Sequence, residues 1–308
     1  MIGSIQNKLI ETRRPLSQDE RAIEQVVLAE VRQHFAGFVG STRDAYDAMT
    51  AQTPIADGVE LEAVDRDGVQ GWWVRPAKAP EDRAILFLHG GAYMLGSAKA
   101  YRGLASQVAI RTGVAVFLPD YPLAPEHPFP AAPDTVIAAR RWLARQGVAE
   151  VALAGDSAGG ALALVALGQQ DGTLPAVASV VLFSPWLDLA FTGPSFTSPD
   201  IHDPIFQPQL LEGAAAAYLG GADPKEGRAS PLYAVPETLP PIAIQVGADE
   251  LLLDDATRYA AAAAEKGGEV RLDIFEGLHH VFQRSAAELP SAARALDDAA
   301  EFISKRWA

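Results

Sequence analysis

The sequence predicts an α/β fold: a mostly parallel sheet of about eight strands, with helices on both faces. Three observations lead there. From residue 84 onward, short and continuously apolar runs alternate with helical stretches. These runs lack the apolar–polar alternation of a half-exposed strand, so both faces of each are buried. The 308 residues are 49% apolar and include 26 Gly and 22 Pro, which suits a packed core with many turns and excludes a disordered chain.

Taken in order, Ser17 followed by Glu20 is a capping-box pattern, with Ile23, Val26, Val27, Ala29 and Val31 behind it at helical spacing. That is an amphipathic helix, the second of two short ones before residue 45. Val59–Val64 and Val69–Val74 read as a strand pair meeting at Asp65-Arg66-Asp67-Gly68, whose Asp-Gly is a strong turn signal. The apolar runs are Ala84–Leu88, Val114–Leu118, Val151–Ala154, Ser179–Phe183, Ile242–Val246 and Val270–Phe275. Between and after them, helices are expected near 98–111, 133–146, 158–170, 207–219, 254–266 and 286–306. The stretch from Phe191 to Pro231 breaks the rhythm. It is long, rich in Pro, Gly, Ser and Asp, and carries one convincing helix, which is how an active-site lid is inserted.

Charge and composition narrow the function. Lys and Arg total 25 against 39 Asp and Glu, a formal charge of −14 that repels phosphate backbones and anionic lipid, so neither nucleic acid nor a membrane is expected as a partner. The absence of Cys removes disulfides, thiolate zinc sites and a Cys nucleophile, and fits a reducing compartment. Met1 to Pro15 carries Lys8, Arg13 and Arg14 without an apolar signal-peptide core, and no apolar run approaches the ~20 residues of a membrane span. A cytoplasmic single-domain protein is expected.

The chemistry gathers at Gly155-Asp156-Ser157-Ala158-Gly159-Gly160, where an apolar strand runs into an Ala/Leu-rich helix. A sharp strand-to-helix turn needs Gly on both sides of the Ser, and it lifts the hydroxyl of Ser157 above the sheet at the positive end of the helix. The five-residue pattern alone is weak and fits a merely tight turn; the strand before it and the helix after it favour a nucleophile. Such a Ser needs a base and an oxyanion hole. His89-Gly90-Gly91-Ala92-Tyr93 follows a strand directly, and its small residues let backbone N–H groups approach a developing alkoxide. An ordinary glycine turn is the bland alternative. His89 itself is read as a brace for this loop.

His89-Gly90-Gly91-Ala92, Asp120-Tyr121-Pro122-Leu123-Ala124-Pro125-Glu126-His127-Pro128-Phe129-Pro130-Ala131 and Gly155–Gly160 together resemble the bacterial hormone-sensitive-lipase-like branch of α/β-hydrolase carboxylesterases. Ser184-Pro185-Trp186-Leu187-Asp188-Leu189, Ser230-Pro231-Leu232 and Glu276-Gly277-Leu278-His279-His280-Val281-Phe282 extend the resemblance over roughly residues 45 to 305. Two positions depart from the family pattern: Ala92 stands for a Gly, and Pro122 for an Arg.

The resemblance implies an α/β-hydrolase fold and a triad in the order Ser, acid, His. Of the histidines at 34, 89, 127, 202, 279 and 280, the last two follow the final strand, and the family motif places the base on His280. Adjacent histidines also suggest a metal, but no further His or carboxylate stands at ligand spacing. For the acid, a gap-free match selects Glu250, whereas matching by residue type selects Asp249 with one gap; Glu250 is favoured. Asp254 and Asp255 read as helix N-terminal charges. The oxyanion hole is expected from the loop of Gly90, Gly91 and Ala92 together with Ala158. A cap from about residues 1–45 and 191–230 is implied over the acyl pocket, with Tyr93, Trp186 and Phe206 as wall residues beside Phe191 and Leu210; each reads equally as core packing. The implied activity is hydrolysis of short- to medium-chain acyl esters, needing no metal or organic cofactor. An amidase or lactone hydrolase with the same triad is the runner-up, and a non-catalytic receptor on this scaffold is the other class. Relatives dimerise through an edge strand and the C-terminal helix, here Val270–Phe275 and Ala286–Trp307, so a homodimer is a further expectation.

Overall fold

Nine strands, not eight, form one sheet in this computed structural model, which describes residues 8–169 and 171–307. The order is β1-β9-β8-β7-β6-β4-β5-β3-β2. The ranges are β1 Leu9–Arg14, β2 Val59–Arg66, β3 Val69–Pro76, β4 Arg83–Leu88, β5 Val116–Pro119, β6 Glu150–Asp156, β7 Ala176–Phe183, β8 Ile242–Gly247 and β9 Val270–Phe275. β2 pairs antiparallel with β3, and β3 antiparallel with β5; all other pairs are parallel. The expected hairpin at Asp65–Gly68 is present, with Arg66 opposite Val69.

Every apolar run became a buried strand, because helices cover both faces of the sheet. Helices α4 (Ala131–Arg145), α5 (Ala158–Gly168) and α7 (Leu253–Glu265) pack on one face through Trp142, Leu162 and Tyr259. Helices α3 (Arg102–Thr112) and α8 (Pro290–Ser304) pack on the other through Leu104, Leu296 and Phe302. Helix α6 (Pro208–Leu219) stands in the inserted stretch, starting on its Pro and closed by left-handed Gly220. The expected helix at 158–170 ends at Gly168; its residue 170 lies outside the described residues. Among the described residues, no helix is long and apolar enough to cross a membrane.

The N-terminal stretch departs from expectation. Ser17 caps a helix, but that helix, α1, runs from Gln18 to Gly37 and is followed by α2, Thr42–Thr50, which has its own capping box from Ser41 and Asp44. Ahead of α1, Leu9–Arg14 is not cap but strand β1, in parallel register with β9 from Leu9↔Val270 to Arg14↔Phe275. Residues 1–7 of the expected cap lie outside the described residues. One consequence is immediate: β9, expected as the edge strand, is not one, because β1 takes its outer side. Glu11, Arg13 and Arg14 hide β1 in the sequence, since an edge strand with one flank in water has no need of a continuous apolar run.

In a parallel sheet of this kind, the loops leaving the carboxyl ends of the strands collect at one rim. The loop after β4, the turn after β6, and the segments after β8 and β9 carry the residues at 89–93, 157, 250 and 280.

Candidate active site

Ser157 stands at the turn between β6 and α5 with φ 52° and ψ −122°, a left-handed backbone that a non-glycine residue holds only under constraint. The constraint is visible. Its amide donates to Phe183 O at 2.9 Å, and its carbonyl accepts the Trp186 amide at 3.0 Å. A Cβ at Gly155 would lie 2.4 Å from Gly159 O, and one at Gly159 would lie 2.0 Å from Leu88 O, so neither tolerates a side chain. Ser157 is the residue just before α5, and its carbonyl accepts the Gly160 amide at 3.0 Å, while the Ala158 amide at the helix start has no acceptor within the helix.

His280, in the segment after β9, receives its partner from the segment after β8. Glu250 Oε2 lies 2.7 Å from His280 Nδ1, and both side chains are buried. The other oxygen, Oε1, accepts the Ser184 hydroxyl at 2.7 Å and the Gly247 amide at 2.6 Å. A carboxylate only accepts, so Nδ1 carries a proton, and the neutral ring with this tautomer has its lone pair on Nε2. That Nε2 is buried and has no hydrogen-bond partner among the described residues. Asp249, the alternative acid, is exposed and stands outside this network. The neighbouring His279 bonds a different carboxylate, Glu24, so the two histidines serve separate partners. Among the described residues there is no group of three or more His, Cys, Asp or Glu that could hold a metal.

The glycine loop after β4 divides its amides. Gly90 N–H donates to Asp156 Oδ1 at 2.9 Å and reaches the Tyr101 hydroxyl at 3.1 Å. It is engaged, and this removes Gly90 from the expected oxyanion donors: its N–H braces the loop. The Gly91 and Ala92 amides take no acceptor from the described residues, and Ala158 is the first residue of α5. Ala92 and Tyr93 both hold positive φ, 54° and 61°, so the Ala in place of the family Gly sits in a strained backbone. His89 is the expected brace. Its ring lies flat on Tyr121, with centroids 4.2 Å apart, and its Nδ1 donates to Gly90 O at 2.8 Å. Burial pushes its pKa down, favouring the neutral ring that this stacking accommodates.

Residues that the sequence did not single out complete the support. Asp156 Oδ2 accepts the Tyr101 hydroxyl at 2.8 Å, Tyr101 meets Tyr46 of α2 at 2.9 Å, and Arg284 lies over both rings. Burial pushes the Asp156 carboxyl up, while Arg284 and the Tyr101 hydroxyl pull it down. Neither tyrosine carried a sequence signal; Asp156 lay inside the elbow motif without an assigned role. Asp255 is more than a helix-terminal charge: one oxygen accepts the amides of Leu187 at 2.6 Å and Asp188 at 2.9 Å, pinning the loop that begins with Ser184.

A cavity of about 590 Å³ is formed within the inserted stretch, walled by Phe196, Ile201, Asp203 and Phe206 among others, with Leu251 from outside it. Phe206 is the expected wall residue found there, and its ring meets His280 edge-on at 4.9 Å. Tyr93 and Trp186 do not line this cavity. Both are buried, Tyr93 stacked on Tyr218 of α6 at 3.6 Å and 6.0 Å from Trp186. Phe191 stacks on Phe196, and Leu210 is 62% exposed.

Comparison with known proteins places this architecture. A family model described as alpha/beta hydrolase fold matches residues 85–284. An acetyl-hydrolase of Streptomyces hygroscopicus is 40% identical over 234 residues, covering 75% of this chain and 78% of that protein. An esterase of Acinetobacter venetianus is 35% identical over 268 residues, 85% of this chain and 88% of its own. Among solved structures, an esterase from the bacterial hormone-sensitive lipase family superposes with a TM-score of 0.87 at 36% identity, over 94% of this chain and 99% of that one. The chain belongs to the α/β-hydrolase family, in its bacterial hormone-sensitive-lipase-like branch of carboxylesterases.

Proposed function

We propose that this carboxylesterase is a serine enzyme acting on short- to medium-chain acyl esters, with Ser157 as nucleophile, His280 as general base and Glu250 as the acid that orients it. The reading rests on one observation above all: His280 Nδ1 is bonded to a fully buried, triply bonded Glu250, while Nε2 is buried and unpartnered. Such a nitrogen is ready to take a proton from a hydroxyl.

In this mechanism Nε2 accepts the Ser157 proton as Oγ attacks the ester carbonyl. The carbonyl oxygen becomes an alkoxide, stabilised by the amides of Gly91, Ala92 and Ala158. Collapse expels the alcohol, which leaves with the proton from Nε2, and Ser157 carries the acyl group. Water then gives a proton to Nε2 and attacks the acyl carbonyl. The second collapse releases the acid and returns the proton to Ser157. Throughout, Glu250 fixes the tautomer and stabilises the transient imidazolium.

The preference for short acyl groups draws on a relative named acetyl-hydrolase, and on a solved esterase with 35% identity and a TM-score of 0.84 soaked by p-nitrophenyl butyrate. The test is an acyl-length series of p-nitrophenyl esters on the purified protein. Acetyl to hexanoyl esters should turn over far faster than palmitoyl, and efficient hydrolysis of emulsified long-chain triglyceride would overturn the chain-length reading.

A further inference from the structure

Helix α1 buries four residues, Glu20, Glu24, Val27 and Leu28, so half of its buried positions are carboxylates. Burying a carboxylate is unfavourable unless donors meet it. Both are met, and by the same stretch of chain. Glu24 Oε1 accepts the His279 amide at 3.0 Å, and its two oxygens lie 2.8 and 3.0 Å from His279 Nδ1. One helical turn earlier, Glu20 Oε1 accepts the Ser291 amide at 2.7 Å, with Arg294 Nη2 at 3.2 Å. One face of α1 thus grips both ends of the segment from His279 to Ser291, and His280 stands beside the first grip.

That segment needs holding. Val281 has φ 56° and ψ 43°, left-handed backbone that a β-branched residue adopts only when its surroundings over-determine it. Three consecutive residues are fixed from three directions: His279 by Glu24, the His280 ring by Glu250, and the Val281 amide by Ser184 Oγ at 3.2 Å. The Glu250 bond and the edge-on Phe206 ring restrain the imidazole at its two sides but leave the place of its Cα to the backbone. The place of Nε2 then depends on the backbone, and Glu24 binds that backbone and the side chain next to it at once.

We propose that Glu24, acting through His279, is a positioning residue for His280: it holds the turn against the strain at Val281 and so fixes the place from which Nε2 would take the Ser157 proton. The proposal rests on the reading of His280 as general base. A displacement of the order of 1 Å at a catalytic group costs about a hundredfold in rate, which sets the scale of the effect.

The test is steady-state hydrolysis of p-nitrophenyl butyrate at 20 °C, with a Tm for every variant. Glu24→Ala should lower kcat by about 10- to 100-fold while KM stays within about threefold. His279→Ala, which removes the imidazole from the other side of the contact, should show a kcat-selective loss of about tenfold and carries the test if Glu24→Ala does not fold. Glu20→Ala loses a grip at the far end of the segment and should lower Tm with kcat within about twofold. Val281→Gly relieves the strain, so in the Glu24→Ala or His279→Ala background it should restore kcat by several-fold. A Glu24→Ala protein that is folded with wild-type kcat, or a Val281→Gly change that adds its own loss and rescues nothing, overturns the proposal. His280→Ala separates the two failures. If it retains activity, the general base has been misread; if it is dead while Glu24→Ala and His279→Ala keep wild-type kcat, Glu24 alone has been misread.

Discussion

Gly90 gives its amide hydrogen to Asp156, the residue immediately before Ser157, at 2.9 Å. The loop proposed to supply the oxyanion donors is therefore tied to the turn that carries Ser157, the proposed nucleophile, and the two cannot drift apart independently. A Cβ on Gly90 would sit 2.4 Å from Asp156 Oδ2, so the contact also explains why this position is glycine.

The tie predicts a difference between two variants. Asp156→Asn keeps an oxygen for the Gly90 amide and should retain most activity. Asp156→Ala frees the loop and should lower kcat on p-nitrophenyl butyrate on the order of tenfold to a hundredfold, somewhat less than losing an oxyanion donor outright. Equal losses in the two would mean that the carboxyl acts by its charge.

Ser157→Ala and His280→Ala should each abolish ester hydrolysis while the circular dichroism spectrum stays that of the parent. Removing a nucleophile or its base from such a triad costs on the order of 10⁶ in kcat. A Ser157→Ala protein keeping a tenth of the activity would exclude it as the nucleophile.

Glu250→Gln should cut kcat by several orders of magnitude, because an amide in that place admits the wrong imidazole tautomer. Asp249→Asn should leave kcat near the parent value, since its side chain is exposed. Rate measurements on one substrate decide between them, and a larger loss in Asp249→Asn reverses the assignment.

Asp255 predicts a pH dependence of stability. Burial pushes its carboxyl from 3.8 up to about 8, although the Leu187 and Asp188 amides pull it down. The folded protein thus keeps a proton that the unfolded chain gives up near pH 4. Between those two values, rising pH removes stability by up to about 1.4 kcal/mol per unit. Asp255→Asn has no such proton, and its side-chain oxygen still accepts the two amides. Urea unfolding at pH 5, 7 and 8.5 should therefore show a flatter decline in the variant, and parallel declines would show that the group does not titrate in this window.

What was readable in the sequence was what depends on local pattern. The six apolar runs, the Asp-Gly hairpin and the elbow around Ser157 are set by residues within a few positions of one another. The pairing of His280 with Glu250 was narrowed to two adjacent carboxylates because both follow the end of β8, but burial chose between them, and burial is a property of the packed molecule. Gly90, Gly91 and Ala92 share one loop and look alike in the sequence; which amide is spoken for depends on Asp156, 66 positions on. Strand β1 and the grip of Glu24 on His279 were invisible for the same reason, since no window spans the 255 positions between those two residues. Tyr93 and Trp186 could have been wall or core, and aromatic composition alone does not distinguish the two.

Strand β1 also bears on how the chain is made. Synthesis proceeds from the N-terminus, so Leu9–Arg14 leaves the ribosome first, while its partner Val270–Phe275 is among the last strands to appear. Until that partner is made, the backbone donors and acceptors of β1 are satisfied by water. Closing so long a loop is entropically slow relative to pairing β4 with β6 or β7 with β8. Of the sheet's pairings, that of β1 with β9 closes the longest stretch of chain, and it covers the outer side of β9. The same closure places Glu24 against His279, so sealing this side of the sheet and bracing the turn that carries His280 are one event.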